Sequence, residues 1–93
     1  MQLLTDDEIT ARLAGLPDWV REGDSIRYTT TRADFRDSLL YVGAVAYLAE
    51  AANHHPDITI QWDKVGLTLS THAAGGLTAA DFALAGQISR LTG

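Results

Sequence analysis

"DITIQWDKVGLTLSTH", residues 57–72, alternates apolar and polar side chains along most of its length. Ile58, Ile60 and Trp62 fall on one face, and Val65, Leu67 and Leu69 resume the pattern after Asp63-Lys64. A period of two marks a half-buried strand, so the stretch predicts a hairpin that turns at Asp63-Lys64 and presents one face to a core. Upstream, "WVREGDSIRYTT", residues 19–30, predicts another. There Gly23-Asp24 suits a tight turn between a strand near Trp19–Glu22 and one near Ser25–Thr29. Two hairpins supply four strands.

Around them a threonine is followed three residues later by an acid on three occasions: "TDDE" from Thr5, "TRAD" from Thr31 and "TAAD" from Thr78. In each the hydroxyl can accept from an orphan amide of the first helical turn, while Glu8, Asp34 or Asp81 reaches back and favours the positive end of the helix dipole. Leu4 before Ile9 and Leu77 before Phe82 add hydrophobic staples to the outer two. The first helix is therefore expected over Asp6–Ala14, with Ile9 and Leu13 inward and Gly15 as its stop. The third is expected to run to about Leu91, burying Phe82, Ala85 and Ile88. The long middle helix is expected over roughly residues 32–53, with Phe35, Leu39, Val42, Ala46 and Ala49 as its inward stripe.

"SLLYVGAVAYLA", residues 38–49, carries no charge, yet twelve residues cannot span a bilayer. A helix apolar on more than one side needs cover on two, which predicts a sheet beneath it and a second subunit above it. The whole reads as a single α+β domain, residues 1–93, with a four-stranded antiparallel sheet and three helices on one face in the order α-β-β-α-β-β-α.

Composition narrows the function classes. The chain has no cysteine, so disulfides, thiol redox chemistry and thiolate metal sites are excluded. Its formal net charge is −5 and its seven Lys and Arg form no run, which disfavours nucleic acid and anionic membrane surfaces as partners. The opening "MQLLTDDEIT" has neither a basic stretch nor an apolar core of the kind an export signal needs, so a cytoplasmic location is expected.

The chemistry concentrates in "AEAANHHPDITI", residues 49–60, where two of the three histidines stand together before a proline. Pro56 disfavours helix at His55, so the helix should end near His54 and the two rings should diverge into different surroundings. Two imidazoles in different environments can serve as acid and base at neutral pH. Glu50 precedes His54 by four residues, the spacing at which a carboxylate can orient the ring on one helical face. His72, placed at the end of the last strand, should meet His55 at the same end of the second hairpin. Three histidines would then converge. No pair has helical spacing and no HxH occurs, which speaks against a metal site. Ser70 lacks an elbow motif, and Gly75-Gly76 reads as the turn into the third helix, not as a phosphate loop. Asp81 reads as a capping acid, and Trp19 and Trp62 as packing residues.

"EAANHHPD", "WDKVGLTLSTH" and "GGLTAADFALA" together resemble the pterin-4a-carbinolamine dehydratases, over nearly the whole chain. The resemblance implies a cytosolic hydro-lyase that removes water from 4a-hydroxytetrahydropterin to give quinonoid dihydropterin, in regeneration of the pterin cofactor of aromatic hydroxylases. It implies no bound cofactor and no metal, and assembly as a homodimer or homotetramer. Position by position, His54, His55 and His72 match the family's catalytic histidines, while Glu50, Trp19 and Asp81 match residues lining or supporting the substrate pocket. "IRYTTTRADF", residues 26–35, departs from the family in placing threonines between Tyr28 and Phe35, and "AAGG" after His72 supplies no polar side chain. Relatives of the fold also resemble partner-binding proteins, a dimerisation cofactor and an assembly factor, so a non-catalytic protein-binding role is the alternative. The uncharged stretch 38–49 would then hold a foreign helix.

Overall fold

The computed structural model describes residues 2–91. Three helices and four strands follow one another as α1 (Asp6–Leu13), β1 (Val20–Glu22), β2 (Ser25–Thr31), α2 (Phe35–Ala52), β3 (Asp57–Gln61), β4 (Lys64–Leu69), a short 3-10 helix (His72–Ala74) and α3 (Ala79–Arg90). The strands form one antiparallel sheet in the order β1-β2-β4-β3. The expected α-β-β-α-β-β-α order is therefore the observed one.

Alternation builds the core. Ile26 and Tyr28 of β2 and Val65, Leu67 and Leu69 of β4 are buried on one face and join Tyr41, Val45 and Ala49 of α2 with Phe82, Leu84, Ala85 and Ile88 of α3. Capping boxes at Thr5–Glu8 and Thr78–Asp81 open α1 and α3 as read from the sequence. The Thr5 backbone N–H donating to Glu8 holds that carboxyl below its usual range. Of the staple residues, Ile9, Leu77 and Phe82 are buried and Leu4 packs against the core.

The middle of the chain departs from expectation in three places. Thr31 does not cap α2. It closes β2 in register with Lys64, and Asp34 caps the helix instead by accepting from the Asp37 N–H at 2.7 Å. The β-branched run Thr29–Thr31 pairs along β4, which holds Thr31 in the sheet and moves the helix start to Phe35. The buried stripe of α2 is Ser38, Tyr41, Val45 and Ala49, whereas Phe35, Leu39 and Ala46 of the expected stripe are exposed. Burial of Ser38 is possible because its hydroxyl donates to the Asp34 carbonyl at 2.9 Å. Beside it the Arg32 guanidinium lies 4.5 Å over the Tyr41 ring and pairs with Asp37, whose carboxyl the Ala33 N–H and Arg32 together hold low.

The third departure is the second hairpin. Gln61 pairs with Lys64, so the turn is Trp62-Asp63 and not Asp63-Lys64. Trp62 leaves the sheet face, adopts φ 57° and is 68% exposed. Among the described residues no helix is long and apolar enough to cross a membrane.

Candidate active site

Helix α2 ends one turn before the proline. Asn53 closes it in the left-handed region at φ 49°, with its N–H donating to the carbonyls of Ala49 and Glu50, and the His54 N–H reaches the Ala49 carbonyl at 3.0 Å. This left-handed residue rotates the chain off the helical path, so His54 no longer shares a face with Glu50. The two histidines diverge. His54 Nε2 meets Oδ1 of Asp81 on α3 at 2.5 Å, and His55 Nε2 turns back to Oε1 of Glu50 at 2.6 Å. Glu50 thus partners His55 and not the ring expected from the four-residue spacing.

The two pairs differ in their access to water. His54 and Asp81 side chains are 12% and 0% exposed, against 56% and 77% for His55 and Glu50. One imidazole is held by a carboxylate in a low-dielectric surround, where the interaction is strong; the other is held in solvent, where it is weakly biased and free to rearrange.

Asp81 has two tasks because it has two oxygens. Oδ2 closes the capping box by accepting from the Thr78 N–H at 2.9 Å and also accepts from the Thr71 hydroxyl at 2.8 Å, which leaves Oδ1 for His54. The capping role read from the sequence is present, and the pairing with His54 is added to it. The sequence pattern marks Thr78 as a cap and gives no sign of the part played by Thr71. A threonine that is buried beside a carboxylate must satisfy its hydroxyl there, and only the fold shows which threonines are buried.

His72 lies in the 3-10 helix past the end of β4, not on the strand itself, and is exposed. It directly follows Thr71, which bridges Gly76 and bonds to Asp81. Asp57 and Thr68 are the last pair of the β3–β4 ladder, so His55 and His72 leave the sheet at the same end. The Ser70 hydroxyl donates to the Asp24 carbonyl at 2.8 Å and ties this loop to the first hairpin. Trp19 is placed apart from the carboxylate–histidine pairs in its hydrogen bonding. It is buried, its ring stacks on Tyr28 at 5.4 Å, and its indole N–H donates to Ser89 of α3 at 2.9 Å.

One surface cavity of about 300 Å³ lies between the N-terminal segment, α1 and the start of α3, and another of about 380 Å³ between the end of α1 and α3; both have Arg12 and Ala79 in their walls. No histidine lines either. The carboxylate–histidine pairs lie outside both.

Known proteins resemble this chain in sequence and in fold. Residues 2–91 match the family described as pterin 4 alpha carbinolamine dehydratase. A protein of Roseiflexus castenholzii carrying the pterin-4-alpha-carbinolamine dehydratase name is 54% identical over 96% of this chain and 96% of its own length. One of Mycobacteroides abscessus with the same name is 52% identical over 100% of this chain and 99% of its own. The crystal structure of a transcriptional coactivator/pterin dehydratase from Brucella melitensis superposes with a TM-score of 0.94 at 26% identity, covering 99% of this chain and 100% of that one. A pterin dehydratase-like RuBisCO assembly factor of the alpha-carboxysome shares the fold at a TM-score of 0.68 and 23% identity, over 82% of this chain and 90% of that one.

Proposed function

Since the chain belongs to the pterin 4 alpha carbinolamine dehydratase family, we propose that it removes water from a 4a-hydroxytetrahydropterin, giving the quinonoid dihydropterin and water by histidine acid–base catalysis. The observation that carries this reading is the pair of imidazoles, each anchored through Nε2 to a carboxylate, one buried and one in solvent. The reaction asks for two proton transfers. An imidazolium gives its proton to the C4a hydroxyl, the C4a–O bond breaks with its electrons leaving on water, and a neutral imidazole takes a proton from a ring nitrogen. The protons balance over one turnover, and the histidines need only exchange them with solvent. His54, His55 and His72 are the proposed catalytic residues. Asp81 and Glu50 hold the first two, and Trp19 supports the pocket wall from within the core.

The physiological setting follows from the same reading: pterin cofactor regeneration, in the cytoplasm, by a homodimer or homotetramer. A partner-binding role is the second reading, favoured by the exposed outer face of α2, where Leu40 is 64% and Tyr47 76% exposed, and by the coactivator named in the Brucella relative. The histidines favour catalysis, because a scaffold has no need of carboxylates aimed at imidazoles.

The test follows the disappearance of 4a-hydroxytetrahydropterin with purified protein. His54→Ala and His72→Ala are each expected to lose on the order of 10²- to 10⁴-fold in rate. Equal rates for all three proteins, or a wild-type rate no faster than the spontaneous reaction, would remove the dehydratase reading.

A further inference from the structure

We propose that Thr71 is a positioning residue that fixes the tautomer of His54 through Asp81, an inference that rests on the reading of His54 as a proton-transfer group. The hydroxyl of Thr71 donates to Asp81 Oδ2 at 2.8 Å, and its oxygen also lies 2.8 Å from the Thr78 hydroxyl. Thr71 has one hydroxyl hydrogen. That hydrogen is the one given to Asp81, and the Thr78 N–H closes on the same carboxylate oxygen at 2.9 Å. Thr71, Thr78 and Asp81 are all buried, and Thr71 is pinned further by its antiparallel bridge to Gly76.

A carboxylate locked in this way is an acceptor on both oxygens. The nitrogen facing Oδ1 must bring its own hydrogen, so neutral His54 is the Nε2–H tautomer. Its other nitrogen, Nδ1, has no hydrogen-bond partner among the described residues. The lone pair is therefore on Nδ1, and that nitrogen is the proton acceptor left for a ligand. Were the Thr71 hydroxyl absent, Asp81 would keep only the Thr78 N–H on Oδ2 and could turn about its side-chain bond, and the ring would lose its fixed proton.

The experiment is ¹⁵N NMR of the histidine rings in the full chain at a pH where His54 is neutral, combined with steady-state kinetics. Wild type should show His54 protonated on Nε2 and bare on Nδ1. Thr71→Val, which keeps the shape and loses the hydroxyl, should show mixed tautomers and a ten- to hundredfold lower kcat at a KM changed less than threefold. Thr71→Ser should restore both. A wild-type His54 carrying its proton on Nδ1 overturns the inference, as does a folded Thr71→Val protein with unchanged tautomer and kcat, or a Thr71→Ser protein that fails to recover. If Thr71→Val does not fold, wild type must still show a slowly exchanging Thr71 hydroxyl proton close to the His54 Nε2 proton; its absence is equally fatal. A wild type without dehydratase activity but with the expected tautomer removes the functional reading alone, whereas full activity with the wrong tautomer removes only the role of Thr71.

Discussion

Asp81 and Glu50 each hold a histidine, but only one of them also holds the fold. Asp81 is wholly buried, closes the α3 capping box and accepts from Thr71, so Asp81→Asn replaces an acceptor by an amide that cannot accept at both oxygen positions. Loss of a cap costs about 1 kcal/mol and a buried unsatisfied donor about 1–3 kcal/mol more. Asp81→Asn is therefore expected to lower the urea midpoint markedly, by roughly 2–4 kcal/mol of stability, together with activity. Glu50→Gln, on an exposed pair, should leave the midpoint within about 0.5 kcal/mol and reduce activity alone. Tyr41 offers the opposite case. Its hydroxyl is buried with no hydrogen-bond partner among the described residues, and burial, with a smaller push from Tyr28 and a weaker opposing pull from Arg32, raises it from the usual 10 to about 12. Folding thus favours the neutral phenol, a contribution present below pH 10 and lost as the pH rises through about 12. Tyr41→Phe removes the orphan hydroxyl, so it should be neutral or stabilising at pH 7 and should flatten the alkaline fall in stability. An ultraviolet titration checks this directly: one of the three tyrosines should ionise late in wild type, and that step should vanish in Tyr41→Phe.

The two hairpins close with turns of the same length, and they handle the same backbone demand differently. Glu22 pairs with Ser25 and Gln61 with Lys64, and the first turn residue has φ 60° at Gly23 and φ 57° at Trp62. Glycine takes that conformation without penalty, whereas a bulky L-residue is strained there by about 1 kcal/mol or more. Trp62→Gly is expected to raise stability by up to about 1 kcal/mol, read as a higher denaturant midpoint with unchanged slope; a lower midpoint would mean that the exposed indole contributes contacts that outweigh the strain. The position of this turn was not legible in the sequence, for a definite reason. Moving the turn from Asp63-Lys64 to Trp62-Asp63 shifts the pairing by two residues, which takes Trp62 into the turn and leaves the remaining strand side chains on their original faces, so alternation fits both registers equally. The α2 stripe failed for a related reason. A helix apolar nearly all round gives no contrast from which to choose a face, and Ser38, the polar residue that lies inside, is admitted only because Asp34 accepts its hydroxyl. Where contrast was high, as in Val65, Leu67 and Leu69 or the boxes at Thr5 and Thr78, the elements were readable. The divergence of His54 and His55 ahead of Pro56 was legible as well. Their carboxylate partners were not, because pairing across α2 and α3 depends on the left-handed turn at Asn53.

At the scale of the whole molecule, α2 has the sheet and α3 on one side and solvent on the other. Leu39, Leu40 and Tyr47 are among its exposed residues, at 48%, 64% and 76%. Apolar side chains in such a row are a poor surface for a monomer, while the same row on a second copy would cover them. The homo-oligomer proposed above accordingly makes a specific demand. Leu40→Glu combined with Tyr47→Glu places two charges on this face without touching the core, so each chain should keep its fold and its unfolding slope. Assembly should fail, because burying unpaired carboxylates at an interface costs several kcal/mol. Light scattering on the eluted protein should then give a single-chain mass where wild type gives a multiple of it. Activity of the separated chain decides a further point. The carboxylate–histidine pairs involve only residues of one chain, Glu50 with His55 and Asp81 with His54. The monomer should therefore retain kcat within a few-fold at temperatures where it remains folded, and a loss of turnover beyond tenfold would mean that a second subunit completes the site.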